Sequence, residues 1–335
     1  MAPLLLSPNT SGGLRSSGGR APSDLVFFAP RGALGRKTPY VTRMRYAPYE
    51  TLITPARARP ELWRIAAGVI VALVVYVLLL MSYGLSIDRI SGAPDTFVEM
   101  IDGSSPADTM GFLLTFLFMI AGTLTAAILL HGRGLLSLLG PLPYFARDGL
   151  RAMAALIALY AVVTLLPPYV MEDLTPNLEV SAWLILLPIS LTLVLIQVSA
   201  EEIFFRGYLQ SQLAARFASP VIWIVLPSVL FGALHYSSAD YGDAAWLVAL
   251  WATAFGIFAA DLTARTGTLG PAIALHFVNN VSALLFMSLD GPLSGLALYT
   301  LQIDVNDPQV IMPLLWVDAT MMVVSWIAVR LALRV

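Results

Sequence analysis

Eight long apolar runs constrain this chain more than any other feature of its sequence. A hydrocarbon core of about 30 Å takes roughly 20 mostly apolar residues as a helix. Runs of that kind lie near Leu62 to Leu85, Met110 to Leu130, Leu150 to Tyr169, Trp183 to Gln212, Pro220 to Tyr236, Ala244 to Ala264, Leu269 to Leu289 and Val310 to Leu333. The runs are continuous rather than alternating, so membrane-barrel strands are not supported. Of the 335 residues, 58% are apolar and 12% are charged, against about 25% charged in soluble proteins. Mean hydropathy is +0.79. The expected fold is all-α, a polytopic membrane protein with about eight transmembrane helices, and a typical soluble enzyme is excluded. The fifth run contains Pro227, which predicts a kink or tilt there.

The first 60 residues read differently. They hold Gly-Gly, Ser-Ser, repeated proline and nine Lys or Arg. Such composition predicts a disordered, basic arm (residues 1–60) preceding a transmembrane domain (61–335), its cations able to lie on an anionic leaflet. Basic residues also mark alternate loops, at Arg133 and Arg147, Arg216, Arg265, and Arg330 with Arg334, while the intervening loops are acidic. By the positive-inside rule both termini are expected on the cytoplasmic side. The formal net charge of -2 offers no basic footprint for nucleic acid. With no cysteine in the chain, disulfides and thiolate chemistry are excluded.

Ionisable groups inside a bilayer are costly, so those present are functional candidates. They cluster as Glu201, Glu202 and Arg206 in the fourth run, His235 at the end of the fifth, and His276 with Asn280 in the seventh. Residues four apart share a helix face. Glu202 and Arg206 are therefore expected to neutralise one another, leaving Glu201 turned toward other helices. His276 with Asn280, and Phe231 with His235, repeat the spacing. If the three faces converge, a carboxylate, two imidazoles and an amide suit water activation and oxyanion stabilisation. Ser199 has no base near it in sequence. His131 reads as an interhelical hydrogen-bonding group. Asp261 and Asp318 read as interfacial or structural, with no second polar partner close in sequence. His235 falls toward the opposite end of its run from Glu201 and His276, so convergence requires a tilted, kinked or deeper fifth helix.

The sequence Glu201-Glu202-Ile203-Phe204-Phe205-Arg206 resembles the EExxxR motif of the CPBP family, the CAAX protease and bacteriocin-processing intramembrane proteases. Phe231 to His235 is similar to its FxxxH motif and His276 to Asn280 to its HxxxN motif, within a catalytic core at about 183–289. The resemblance implies an intramembrane endopeptidase related to type II CAAX prenyl endopeptidases, acting near the C-terminus of a membrane-associated, prenylated substrate. It implies that Glu201 with His235 activates water, that His276 with Asn280 stabilises the oxyanion, and that Glu202 and Arg206 orient the site. A zinc shell of Glu201, His235 and His276 is the alternative to the favoured metal-free carboxylate mechanism, but no HExxH pair is present. The expected location is integral to a membrane, the inner membrane if the source is bacterial. Two rival readings are a non-proteolytic scaffold or immunity factor with the same motifs and a proton-coupled transporter. The absence of an internal repeat disfavours the transporter.

Overall fold

A computed structural model describes residues 45–101, 105–166, 174–291, 293–305 and 307–335. Most of the expected arm, residues 1–44, lies outside the described residues. Its last part differs from the expectation. Helix α1 (Glu50–Ala56) is ordered, and Tyr49, Leu52 and Ala56 are buried against the transmembrane domain. The helix is anchored by buried Arg133, which donates to the Leu52 carbonyl (3.3 Å), the Ser137 carbonyl (2.8 Å) and Ser211 Oγ (2.7 Å). Burial pushes the Arg133 guanidinium down to about 10. The Gly and Ser content that made the arm look disordered ends before this stretch, which carries apolar side chains able to dock.

The membrane region is all helical. Helices α2 (Leu62–Ser91), α3 (Pro106–His131) and α5 (Val180–Arg216) are long and apolar enough to cross a bilayer. So are the helical stretch Ser238–Thr266, whose regular part is α7 (Ala245–Thr266), and α9 (Pro308–Leu333). The other three predicted spans overlap α4 (Leu142–Thr164), whose first turns carry Arg147, Asp148 and Arg151, and the shorter α6 (Val221–Ala233) and α8 (Gly270–Phe286), none of which is among the five helices long and apolar enough to cross. Helices α2 and α3 pack together, α4 lies on α8 and α9, and α6 lies on α7, with α8 against α5.

Close approach of α6 to α7 depends on small residues. A Cβ at Gly232 would collide with Thr253 Oγ1 and the Ala249 carbonyl, and one at Gly256 would press on Ser228. Such contacts replace the hydrophobic drive that is missing between helices in lipid. Pro227 stands in the first turn of a regular helix. The first turns of α6, Val221–Val225, are π-helical, and the regular helix begins at Leu226. Short strands also occur between the helices, and they are not barrel strands. β1 (Leu174–Pro176), β2 (Met287–Leu289) and β3 (Tyr299–Leu301) form a small sheet in the order β1-β3-β2, antiparallel then parallel. Three residues per strand are too few to show an alternating pattern.

Candidate active site

Helix α5 changes character where its polar residues begin. It is α-helical to Glu202 and π-helical from Ile203 to Gln210, a widening common at functional sites. Glu202 and Arg206 form the expected pair. Arg206 Nη1 donates to Glu202 Oε1 at 3.0 Å, and both side chains are enclosed. The same oxygen accepts from His276 Nδ1 at 2.8 Å, so α8 is tied to α5 through Glu202. Since a carboxylate oxygen accepts, Nδ1 carries the hydrogen, and Nε2 is the nitrogen left for chemistry.

That nitrogen faces Glu201, whose Oε2 lies 3.4 Å away. Glu201 is turned from Arg206 as its position one residue before Glu202 requires, and its partner is His276. Its Oε2 is buried with no hydrogen-bond partner, so it retains acceptor capacity for a reacting group. His276 thus stands between two carboxylates, one ring nitrogen toward each.

Asn280, one turn further along α8, donates from Nδ2 to Gln197 Oε1 at 2.8 Å, and its Oδ1 accepts from Asn279 Nδ2 at 3.4 Å. These two bonds fix which end of the carboxamide is which, and one Nδ2 hydrogen remains. Gln197 was missed in the sequence. It lies four residues before Glu201 in an otherwise apolar stretch, and that spacing was the available signal. Phe255 on α7 was also missed. Its ring lies 4.8 Å from that of His276, and a phenylalanine among apolar neighbours carries no distinguishing mark.

His235 follows the end of α6. Its Nδ1 donates to the Phe231 carbonyl at 2.8 Å, so the neutral ring presents Nε2 as an acceptor. Phe231 is the common neighbour of the motif residues. Its ring centroid lies 4.5 Å from His235, 6.0 Å from His276 and 5.1 Å from Phe205, with the Arg206 guanidinium 4.7 Å over its face. Helix α6 is short, thirteen residues that rise only about 20 Å, and it brings Phe231 near its end within 6.0 Å of the His276 ring. The structure therefore brings Glu201, Glu202, Arg206 and His276 into direct contact, and places Phe231 between His276 and His235. It does not pair Glu201 with His235. Among the described residues no three His, Asp or Glu side chains assemble as metal ligands.

The other polar residues resolve as structural. His131 donates from Nδ1 to the Arg59 carbonyl and accepts at Nε2 from Tyr208 Oη, both at 3.0 Å. Asp261 does have a partner close in sequence, against expectation. Arg265, four residues on, donates to its Oδ2 at 2.6 Å, and Trp326 Nε1 and Tyr46 Oη complete its shell.

Residues 182–282 match the family model described as Type II CAAX prenyl endopeptidase Rce1-like. The stretch contains every motif residue named above. An uncharacterized protein of Bacillus subtilis, YyaK, is 31% identical over 108 residues. That match covers 32% of this chain and 36% of the relative, so the chain spans about a third of the curated relative's length. No solved structure matches.

Proposed function

Proceeding from an Rce1-like domain at residues 182–282 of an all-helical membrane protein, we propose that the chain is an intramembrane endopeptidase. Its substrate would be a membrane-associated protein or peptide, of the prenylated CAAX class, cut near the C-terminus. The observation that carries this reading is the buried contact between Glu201 and His276, with Glu202 and Arg206 behind it.

Charge counting supports a specific division of labour. Glu202 and Arg206 cancel. A buried cluster is least costly when neutral, which leaves one proton to be shared by Glu201 and His276 Nε2. With that proton on Nε2, Glu201 is a carboxylate base and His276 is a cationic donor. Water attacks the scissile carbonyl carbon as Glu201 takes one of its protons. The C–O bond forms, and the carbonyl oxygen becomes an oxyanion held by His276 Nε2–H and the remaining Asn280 Nδ2 hydrogen. Glu201 then returns its proton to the amide nitrogen as the C–N bond breaks, giving a carboxylic acid and an amine. His235, with its Nε2 lone pair, supplies a second acceptor for the attacking water. No step of this scheme needs a metal.

This assignment keeps the expected roles of Glu201, His276 and Asn280, and it makes His276 rather than His235 the direct partner of Glu201. The loop charges support an orientation with both termini cytoplasmic, in the inner membrane if the source is bacterial. The test is substrate trapping. C-terminal peptides of membrane proteins are compared by mass spectrometry between cells with the wild-type chain and cells with Glu201→Ala. Uncut precursors that accumulate only in the variant support the reading. Identical peptide sets, with both proteins present at equal level, favour a scaffold.

A further inference from the structure

Near the ends of α7 and α9 two arginines contact Asp261, and a third, Arg330, stacks on Trp326, which contacts the same carboxylate. Arg265, in the last turn of α7, donates from Nε to Asp261 Oδ2 at 2.6 Å. It is almost fully enclosed, and its Nη2 has no hydrogen-bond partner. Arg45 lies 3.6 Å from the other oxygen of Asp261 and is half exposed. The Tyr46 ring lies between these two guanidinium groups, at 5.3 Å from one and 5.6 Å from the other, while its hydroxyl donates to Asp261. Arg330, in the last turn of α9, stacks 4.7 Å over Trp326, whose Nε1 donates to the same Asp261 oxygen as Arg265. The Arg330 Nε donates to the terminal carboxylate oxygen of Val335, which leaves its two terminal nitrogens. The charges of Arg265, Arg45 and Asp261 all act on it.

Asp261 balances one of these three cations, and the terminal carboxylate of Val335 faces a second through Arg330. The remaining positive charge, with the unpaired donor of Arg265, is best balanced by an anion carrying one negative charge. The place matters as well. Both helices end here, so the cluster lies at headgroup level, and Trp326 is of the kind that marks that level. We propose that Arg45, Arg265 and Arg330 form a binding site for a phosphate group, supplied by the headgroup of an anionic phospholipid. The site ties the segment before α1 to α7 and α9 through one lipid, and it is independent of the catalytic reading.

The test is native mass spectrometry of the full-length chain from detergent, titrated with phosphatidylglycerol or phosphatidylcholine. Surface cations contribute roughly fivefold each to anionic-lipid binding. The double variant R45Q/R330Q should therefore bind phosphatidylglycerol about 25-fold more weakly. The charge-matched control R89Q/R216Q, which changes exposed arginines elsewhere, should bind like the wild type. Arg45 is exposed enough that R45Q alone, expected to lose about fivefold, serves if the double variant folds poorly. Inorganic phosphate is the second arm. If it displaces phosphatidylglycerol from the wild type, the phosphate alone is recognised and a free ion is a competent source. If it fails to, the lipid headgroup is the ligand. Equal weakening in the two variant pairs, or equal affinity of the wild type for phosphatidylcholine, would overturn the proposal.

Discussion

Glu202 Oε1 accepts from both Arg206 and His276, so one oxygen holds the ion pair and sets the imidazole. Leaving either member of a buried pair alone costs about 3–5 kcal/mol. Arg206→Ala and Glu202→Gln should each lower thermal stability by that order, while Glu202→Gln with Arg206→Gln recovers part of the loss. A double-mutant cycle on detergent-unfolding free energies should give a coupling of about 1–3 kcal/mol. Simple additivity would mean the two side chains do not interact. Gln197 predicts a different signature, because it acts through Asn280. Losing an oxyanion donor outright costs about 10²–10³ in kcat, and losing only its orientation should cost less. Gln197→Leu should lower kcat about tenfold with KM little changed, and Gln197→Glu, which keeps the acceptor, should restore most of it. A pure KM effect would place Asn280 in substrate binding instead. The sequence made Glu202 and Arg206 legible because their partner lies one turn away. Gln197 and Phe255 gain their meaning only from residues on other helices.

At the scale of elements, the approach of α6 to α7 positions Phe231, and Gly232 permits it. Overpacking an interface of this kind costs about 1–3 kcal/mol. Gly232→Ala should lower the melting temperature and reduce activity together, since the adjacent Phe231 ring moves relative to His276. Unchanged stability and activity would show that the helices have room to spare. The segment before α1 allows a pH test. Burial, and then the hydrogen bond to Asp261, push the Tyr46 phenol up from 10.0 to about 12. The folded state therefore favours the protonated phenol. Its contribution is complete below the ordinary tyrosine value and is lost as pH rises through that interval. Arg45 and Arg265 face the same hydroxyl and oppose the shift, so the comparison must be with Tyr46→Phe. The stability of the wild type relative to Tyr46→Phe should be constant below pH 10.0, fall as pH rises from there, and level off above about pH 12. A difference that stays flat across the interval would detach Tyr46 from Asp261. The docking of this segment was not legible, because its contacts with Gly267, Arg133 and Asp261 join residues far apart in sequence. The Asp261–Arg265 pair repeats the spacing of Glu202–Arg206, and a search for that spacing in every span would have found it.

Across the whole molecule, apolar run length identified the helical membrane architecture, because a bilayer leaves few other solutions. The same criterion is weaker for α4, α6 and α8. Two of these are short and one begins among charges, and α6 and α8 carry His235, His276 and Asn280 to the site. Run length alone does not reveal how such shorter helices bring polar groups from different runs together. The central claim is that Glu201 is the base for peptide hydrolysis in a site that needs no metal. Its most direct test is the cleavage rate of a prenylated CAAX peptide by purified, liposome-reconstituted protein, comparing wild type with Glu201→Gln before and after exhaustive chelation. Glu201→Gln is expected to lose roughly 10² or more in rate with unchanged melting, and the wild type to keep full activity after chelation. Wild-type rates from Glu201→Gln, or activity that disappears with the chelator and returns with zinc, would contradict it.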